Sequence, residues 1–329
     1  MGISPPGLMS KWTKLDAIGG YPSLELNPGS RMHENAIRLN SARNGFEYVL
    51  TASHYRRVFL PFYTCSAMFE APRKLGVDIC FYRIGLDLEP EDAPALGPDE
   101  AYVYTNYFGL KQDCAARLFE RYGNRLIMDN SQAFYARPLP GVDTFYSPRK
   151  FFGVPDGGLL YSDKKLPDQL PRAESAERFL HLIKRIESGA EAGYDDFRNA
   201  EKTLDLAPLQ AMSQLTDSLL GAIDYERAAW IRRENFRILH EALGGLNRIH
   251  PRMDGDAVPM VYPFLTDDPC LRQRLIANRV FVATYWPNVK ESTTPETIEY
   301  ELADRFIPLP VDQRYGPEEM ERIIQIILG

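Results

Sequence analysis

Two residues in this chain have the type and spacing to do covalent chemistry. Asp129 closes the apolar run "LIMD", and Lys150 follows 21 residues later inside "FYSPRKFFGVPDGG", residues 145–158. Phe145, Tyr146, Phe151 and Phe152 flank the lysine, and the loop ends on a Pro-Asp-Gly-Gly turn. A lysine held against aromatic surface loses hydration, which disfavours the ammonium, lowers its pKa and frees the amine as a nucleophile. A carboxylate at the end of a buried strand emerges where open α/β sheets bind ligands. Each residue also has an ordinary use. Asp after a strand commonly starts a turn, and a lysine commonly lays its stem on the surface with its head in water.

As a pair the two suggest something more specific. A dry amine can form a Schiff base with an aldehyde. Pyridoxal phosphate supplies one, and its ring nitrogen needs an acidic partner to stay protonated and serve as an electron sink. Asp129 and Lys150 suit the two ends of that ring. Gln132, three residues beyond Asp129, could bond or pack beside it, and Tyr63 after Pro61 in "LPFYTC" could stack on its face.

The elements that must position these residues alternate in type. "RVFLPFYT", "VDICFYRI", "EAYVYTNYF", "NRLIMD", "VDTFYS" and "GLLYS" read as strands, with "SAMFEAPRKLG" and "CAARLFERYG" as helices between them. This spacing predicts an α/β fold with a mainly parallel sheet covered on both faces. After about residue 165 the pattern turns helical and charged. A smaller α/β piece then closes the chain: "VPMVYPFL" as a strand, "CLRQRLIANR" as a helix, "VFVATYW" as a strand and "PEEMERIIQIIL" as a helix. We expect a large domain over 1–220 and a small C-terminal domain over 221–329. "RRENFR" reads as a solvated helix face. Tyr285 and Trp286 read either as cleft lining or as core, and "GGYPSLEL", residues 19–26, as a lid or substrate contact.

Composition sets the bounds. The 329 residues are 44% hydrophobic and 25% charged, enough for a substantial core. A net charge of −7 argues against non-specific binding to nucleic acid or anionic lipid. The longest apolar runs, such as "IIQIIL", are too short to span a bilayer. The N-terminal "MGISPPGLMSKW" lacks a signal-peptide core, and Pro6 stands where a myristoylation motif needs Ser or Thr. Cys65, Cys80, Cys114 and Cys270 are unpaired in spacing, as in a reduced cytoplasmic protein. The five histidines show no metal spacing.

The chain resembles the DegT/StrS family of sugar aminotransferases, which have the type I fold of pyridoxal-phosphate enzymes. "LNSARNGFEYVL" resembles the family's Asn-Ser-Gly-Thr helix start, and "LPFYTCSAMFEAPRKLGVDICFYRI" its Pro-x-aromatic-Thr segment. "LIMDNSQAF" resembles its Glu-Asp-x-x-Gln motif, and "SPRKFFGVPDGG" its lysine loop ending in Gly-Glu-Gly-Gly. "LAPLQAMSQL" and "FIPLPVDQRYGPEEMERII" resemble its Glu-Leu-Gln-Ala helix and its C-terminal Leu-Pro segment. The order Asp-x-x-Gln, Lys, Gly-Gly is the specific part. The resemblance implies a seven-stranded-type sheet and Lys150 as Schiff-base lysine and proton shuttle. It also implies Asp129 on the pyridine nitrogen, Gln132 near the phenolic oxygen and Tyr63 stacked on the ring. Family members that act as sugar dehydratases carry His in place of the lysine, so Lys150 favours amino transfer. The implied substrates are an amino acid donor, glutamate foremost, and a nucleotide-linked keto-sugar destined for a surface polysaccharide. The implied assembly is a homodimer.

The departures lie at the phosphate end. Ala42 and Arg43 replace the family's Gly-Thr, Phe145 replaces its serine five residues before the lysine, and Thr203 falls where a partner subunit supplies asparagine. We expect Ser41, the backbone at 42–43 and the Arg43 side chain to take over the phosphate, through a helix start and a guanidinium. Arg43 reads equally as a surface cation. In that case cofactor binding weakens, and the alternative is a catalytically lapsed relative that binds a sugar nucleotide as scaffold or sensor.

Overall fold

The computed structural model describes residues 19–27, 29, 31–205 and 207–329. The N-terminal segment searched for targeting signals and Leu206 of the Leu-Gln-Ala segment lie outside the described residues.

The first half builds one seven-stranded sheet. Its strands are β1 (Ile37–Leu39), β2 (Arg57–Pro61), β3 (Asp78–Tyr82), β4 (Glu100–Thr105), β5 (Leu126–Asn130), β6 (Asp143–Tyr146) and β7 (Gly158–Tyr161). They lie in the order β1-β7-β6-β5-β4-β2-β3. β2 to β6 pair in parallel, while β7 runs antiparallel to both β6 and β1. The α/β expectation therefore holds, with a seven-stranded, mostly parallel sheet. The helices of this half are α1 (Ala42–Ser53), α2 (Glu70–Leu75) and α3 (Gln112–Tyr122).

Alternation along the strands divides the core. Ala101 and Val103 of β4, Ile127 of β5 and Phe145 of β6 face Phe46, Val49 and Leu50 of α1. Tyr102, Tyr104, Leu126, Met128 and Tyr146 face the other way, into a tyrosine-rich cluster with Leu118 of α3. Asp129 pairs in register with Thr105 on one side and Phe145 on the other, so it belongs to the α1 face of the sheet.

The second half is helical before it returns to strand. α4 (Leu180–Ser188), α5 (Tyr194–Leu204), α6 (Gln214–Leu220) and α7 (Tyr225–Leu243) lead to β8 (Val261–Phe264). α8 (Leu271–Ala277), α9 (Val289–Ser292), α10 (Ile298–Arg305), β9 (Ile307–Pro310) and α11 (Pro317–Leu328) complete it. β8 and β9 pair antiparallel, and Phe236, Leu239, Leu271, Leu275, Met320 and Ile323 pack around them. The strand expected in "VFVATYW" does not form. Residues 280–286 run without a ladder, Phe281 is exposed, and Tyr285 and Trp286 dock onto the tyrosine-rich cluster of the large sheet. β-rich composition misleads here because, among the described residues, no strand pairs with it.

"RRENFR" is not a solvated face either. Arg232, Asn235 and Phe236 are buried, because α7 packs between the small sheet and the lysine loop. "GGYPSLEL" is almost wholly exposed, with Tyr21 94% accessible. Among the described residues no helix is long and apolar enough to cross a membrane.

Candidate active site

The site starts at the carboxyl end of β5. Every residue of "LIMDN" is buried, which holds the strand rigid up to its last peptide. Asp129 is 4% exposed; its carboxylate accepts hydrogen bonds from the Ser131 backbone N–H at 2.8 Å and the Thr105 hydroxyl at 3.3 Å. Among the described residues no cation pairs with it. A buried carboxylate satisfied only by neutral donors is costly unless a positive group joins it.

Lys150 reaches back to the same place. Its Nζ donates to Ser131 Oγ at 3.0 Å, so Lys150, Ser131 and Asp129 form one connected chain of contacts. The amine is not dry, however: Lys150 is exposed in the single chain. The rings beside it in sequence turn away from it. Phe145 packs on Phe46 of α1, Phe151 lies under Arg232, and Phe152 meets Phe134 and Tyr225. Consecutive residues of a turn point in different directions, so aromatic neighbours in sequence do not make an aromatic cage.

The loop around Lys150 is clamped on both sides. After the lysine, the Phe151 carbonyl accepts from Gln313 Nε2 at 2.8 Å and from Arg232 Nη2 at 3.2 Å. Arg232 spends its other donors on Gln313 Oε1 and the carbonyls of Pro259 and Met260, with its guanidinium 4.6 Å from the Phe151 ring centroid. Burial pushes its pKa down to about 10, yet it stays charged at neutral pH. Further along, Asp156 is fully buried and accepts from Ser213 N–H, Ser213 Oγ and Thr216 Oγ1, anchoring the start of α6. The paired glycines then fit where nothing larger can. Gly157 has φ +124° and donates its N–H to Asn40 O at 2.7 Å. A Cβ on Gly158 would sit 2.2 Å from Ser41 O. Close approach of β7 to the start of α1 therefore requires glycine.

The other expected residues separate into those that join the site and those that do not. Gln132 is 1% exposed; its Oε1 accepts from the Phe108 N–H at 3.1 Å, which leaves its buried Nε2 without a partner. Tyr63 does not offer a face for stacking. It is fully buried beneath Trp286, 5.0 Å between centroids, and beside Tyr107, with its hydroxyl unpartnered and its pKa raised by burial. Ser41 caps α1: Oγ accepts from Asn44 N–H at 3.2 Å and donates to Asn44 Oδ1 at 2.7 Å, so its hydroxyl is engaged. Ala42 opens the helix, and the N–H groups of residues 42 and 43 have no intrahelical acceptor. Arg43 is paired, with Asp205 at 2.6 Å and Glu70 at 3.9 Å. Thr203 lies on α5, and its hydroxyl donates to its own helix at Ala200 O. Phe145 fills the place of the serine so tightly that a Cβ on Gly45 would meet it at 2.9 Å.

Sequence reasoning missed Ser131, Arg149, Arg232 and Gln313. Ser131 was within reach, since it stands between Asp129 and Gln132. The remaining three depend on contacts 52 to 162 residues apart. A cavity of about 390 Å³ borders the loop at Phe152 and Val154, with Leu219, Ile223, Asp224 and Arg227 opposite. None of Asp129, Ser131 or Lys150 lines it, so it is separate from the polar cluster.

This architecture is the type I fold of pyridoxal-phosphate transferases. The chain is similar to DesV of S. venezuelae, with 16% identity over 89% of this chain and 83% of that one, at a TM-score of 0.61. It is similar to the sugar aminotransferase CalS13 from Micromonospora echinospora, with 16% identity, 89% and 86% coverage and a TM-score of 0.59. NtdA from Bacillus subtilis, solved with bound cofactor PMP, matches with 15% identity, 89% and 72% coverage and a TM-score of 0.63. No family model and no curated protein matches the chain. At these identities the likeness is one of fold. The residues themselves fit the cofactor at two points: the uncompensated carboxylate of Asp129 and the orphaned amide of Gln132.

Proposed function

We propose that the chain is a pyridoxal-phosphate-dependent aminotransferase that moves an amino group from an amino acid, glutamate foremost, to a keto-sugar. The observation that carries this reading is the connected trio Asp129, Ser131 and Lys150 at the carboxyl edge of the parallel sheet. When bound, the cofactor supplies an aldehyde for a primary amine and a protonated pyridine ring that accepts electrons. Lys150 offers that amine, and once freed it carries a proton to and from the substrate carbon. Ser131 orients Lys150 while its own backbone is fixed by Asp129. Asp129 keeps a proton on the ring nitrogen, which removes the energetic penalty of its lone buried charge. Gln132 Nε2 is a free donor for the ring's phenolic oxygen. The N–H groups of Ala42 and Arg43 at the start of α1, with the Arg43 guanidinium, hold the phosphate.

The exposure of Lys150 supports a homodimer in which a second copy covers the site. The expected role of Thr203 toward the neighbour's cofactor is not kept, since its helix covers Arg43 and Arg149 of its own chain. The same reading takes the acceptor as nucleotide-linked, the product as a precursor of a surface polysaccharide, and the location as cytoplasmic. It keeps the division into a 1–220 cofactor domain and a 221–329 small domain. A second reading, a lapsed relative that binds a sugar nucleotide, draws on the ion-paired Arg43 and the buried Tyr63.

Borohydride reduction in the presence of pyridoxal phosphate tests the proposal. We expect one phosphopyridoxyl adduct on the peptide bearing Lys150, a visible band lost in Lys150→Ala, and conversion of that band by glutamate. An adduct absent from Lys150 refutes the aminotransferase; an adduct without conversion by any amino acid favours the lapsed relative.

A further inference from the structure

Beside the polar cluster, three guanidiniums gather where α1 begins. Arg43, Arg149 and Arg178 have side chains only 26%, 17% and 17% exposed. They are near enough that Arg43 and Arg178 both depress the pKa of Arg149, to about 10, after burial itself. The Nε atoms of Arg149 and Arg178 are buried without partners. Besides Glu70, 3.9 Å from Arg43, three carboxylates offset the three cations. One is fixed: Asp156, fully buried, 3.8 Å from Arg178 and held by α6. The other two come from one helix. Arg149 pairs with Glu201 and Arg43 with Asp205, at 2.6 Å for the second pair. Glu201 and Asp205 are four residues apart, the last turn of α5 and its cap, so they present both carboxylates on one side of the helix. They are 34% and 50% exposed, far less secured than Asp156.

α5 is loosely held in other respects. Tyr194 and Phe197 are 58% and 41% exposed, and only Ala200 and Leu204 are buried. Asp205 also crowds other acids: the pKa of Glu70 is raised by burial and then by Asp205 and Glu47, against the pull of Arg43. Two carboxylates side by side on a pair of guanidiniums carry the charge of one phosphate dianion. Removing them would leave the three cations facing only Asp156 and the more distant Glu70, a surplus of one positive charge.

We propose that Arg43 and Arg149 form a phosphate-dianion site that α5 closes with Glu201 and Asp205, and that a phosphate-bearing ligand displaces those two carboxylates and releases α5. The inference rests on the reading above in placing the cofactor phosphate at the start of α1, and it adds Arg149 as ligand and α5 as competitor. Exchange of one dianion for two carboxylates conserves charge, so it needs no other ion. The phosphate does not meet a vacant cradle; it competes with a built-in occupant.

The test uses the full chain without cofactor and three probes: inorganic phosphate, pyridoxal phosphate and pyridoxal. Phosphate is expected to speed amide exchange across Tyr194–Leu204 and to slow it at the start of α1. The double variant Glu201→Gln, Asp205→Asn removes two half-exposed ion pairs and should bind phosphate about tenfold more tightly. Arg149→Gln should weaken phosphate and pyridoxal phosphate by about tenfold or more while leaving the affinity for pyridoxal unchanged. If Lys150 traps neither aldehyde while phosphate still releases α5, the anion site stands and the aminotransferase falls. The proposal is overturned if saturating phosphate leaves α5 exchange unchanged, or if the double variant binds phosphate no more tightly than the parent chain.

Discussion

Arg232→Met is the most informative single change for the framework that holds Lys150. Arg232 is 1% exposed and touches no carboxylate; it donates to Gln313 Oε1 at 2.9 Å and to the carbonyls of Pro259, Met260 and Phe151 at 3.1 to 3.2 Å. Counted as four charge-assisted bonds at about 1.5–3 kcal/mol each, its loss would cost about 6–12 kcal/mol. That sum is too large. Methionine fills much of the same volume and needs no desolvation of a cation, which returns several kcal/mol. The Phe151 carbonyl also keeps its bond from Gln313 Nε2 at 2.8 Å. What remains uncompensated is two buried carbonyls and the Gln313 oxygen, at about 1–2 kcal/mol each, so we expect a net loss of about 3 kcal/mol. Urea unfolding followed by tryptophan fluorescence measures it, with Gln313→Leu and the double variant completing the cycle. In the double variant Phe151 O loses both donors, and a coupling of about 1 kcal/mol between the two sites should appear. A loss under about 0.5 kcal/mol for Arg232→Met, or strict additivity, would show that this clamp does not hold the loop.

Two further tests follow from the fold. Gly158→Ala places a Cβ 2.2 Å from Ser41 O, a backbone atom that cannot swing aside, so β7 and α1 must part. We expect a loss of at least about 3 kcal/mol in urea unfolding and a weaker cofactor band; wild-type stability would refute the packing. His33 gives a pH signature. Its Nε2 donates to Phe134 O at 2.7 Å and its Nδ1 lies 3.2 Å from the Tyr161 hydroxyl, a contact the neutral ring makes as acceptor and the charged ring as donor. Burial holds its pKa below the ordinary 6.5. In acid the unfolded chain therefore binds a proton that the folded chain refuses. Stability is complete above pH 6.5 and falls as pH drops through that value toward the lowered folded pKa. His33→Gln should flatten this slope in a pH series of unfolding midpoints; an unchanged slope would assign the loss to other groups.

Much of this protein is legible in its residues because the signals are local. A buried apolar run ending in Asp129, a lysine loop ending in Gly157 and Gly158, and alternating strand and helix patterns follow from side-chain period and backbone freedom. Those constraints act within a few residues, so a mainly parallel sheet could be anticipated from them; its seven strands are implied only by the family resemblance, and Lys150 meets Asp129 only through Ser131. The failures share one cause. "VFVATYW" has strand composition but, among the described residues, no strand that pairs with it; "RRENFR" has a polar composition but lies between two packed bodies. Tyr63 sits on the expected segment but beneath Trp286, which arrives from 223 residues further along the chain. The aromatic neighbours of Lys150 are adjacent in sequence yet face the core. Whether a ring covers an amine, whether an arginine meets water or four carbonyls, and whether Arg43 is free or held by Asp205 are decided by which distant segment fills the space. Composition fixes what a side chain is able to do; only the packed chain decides what it meets.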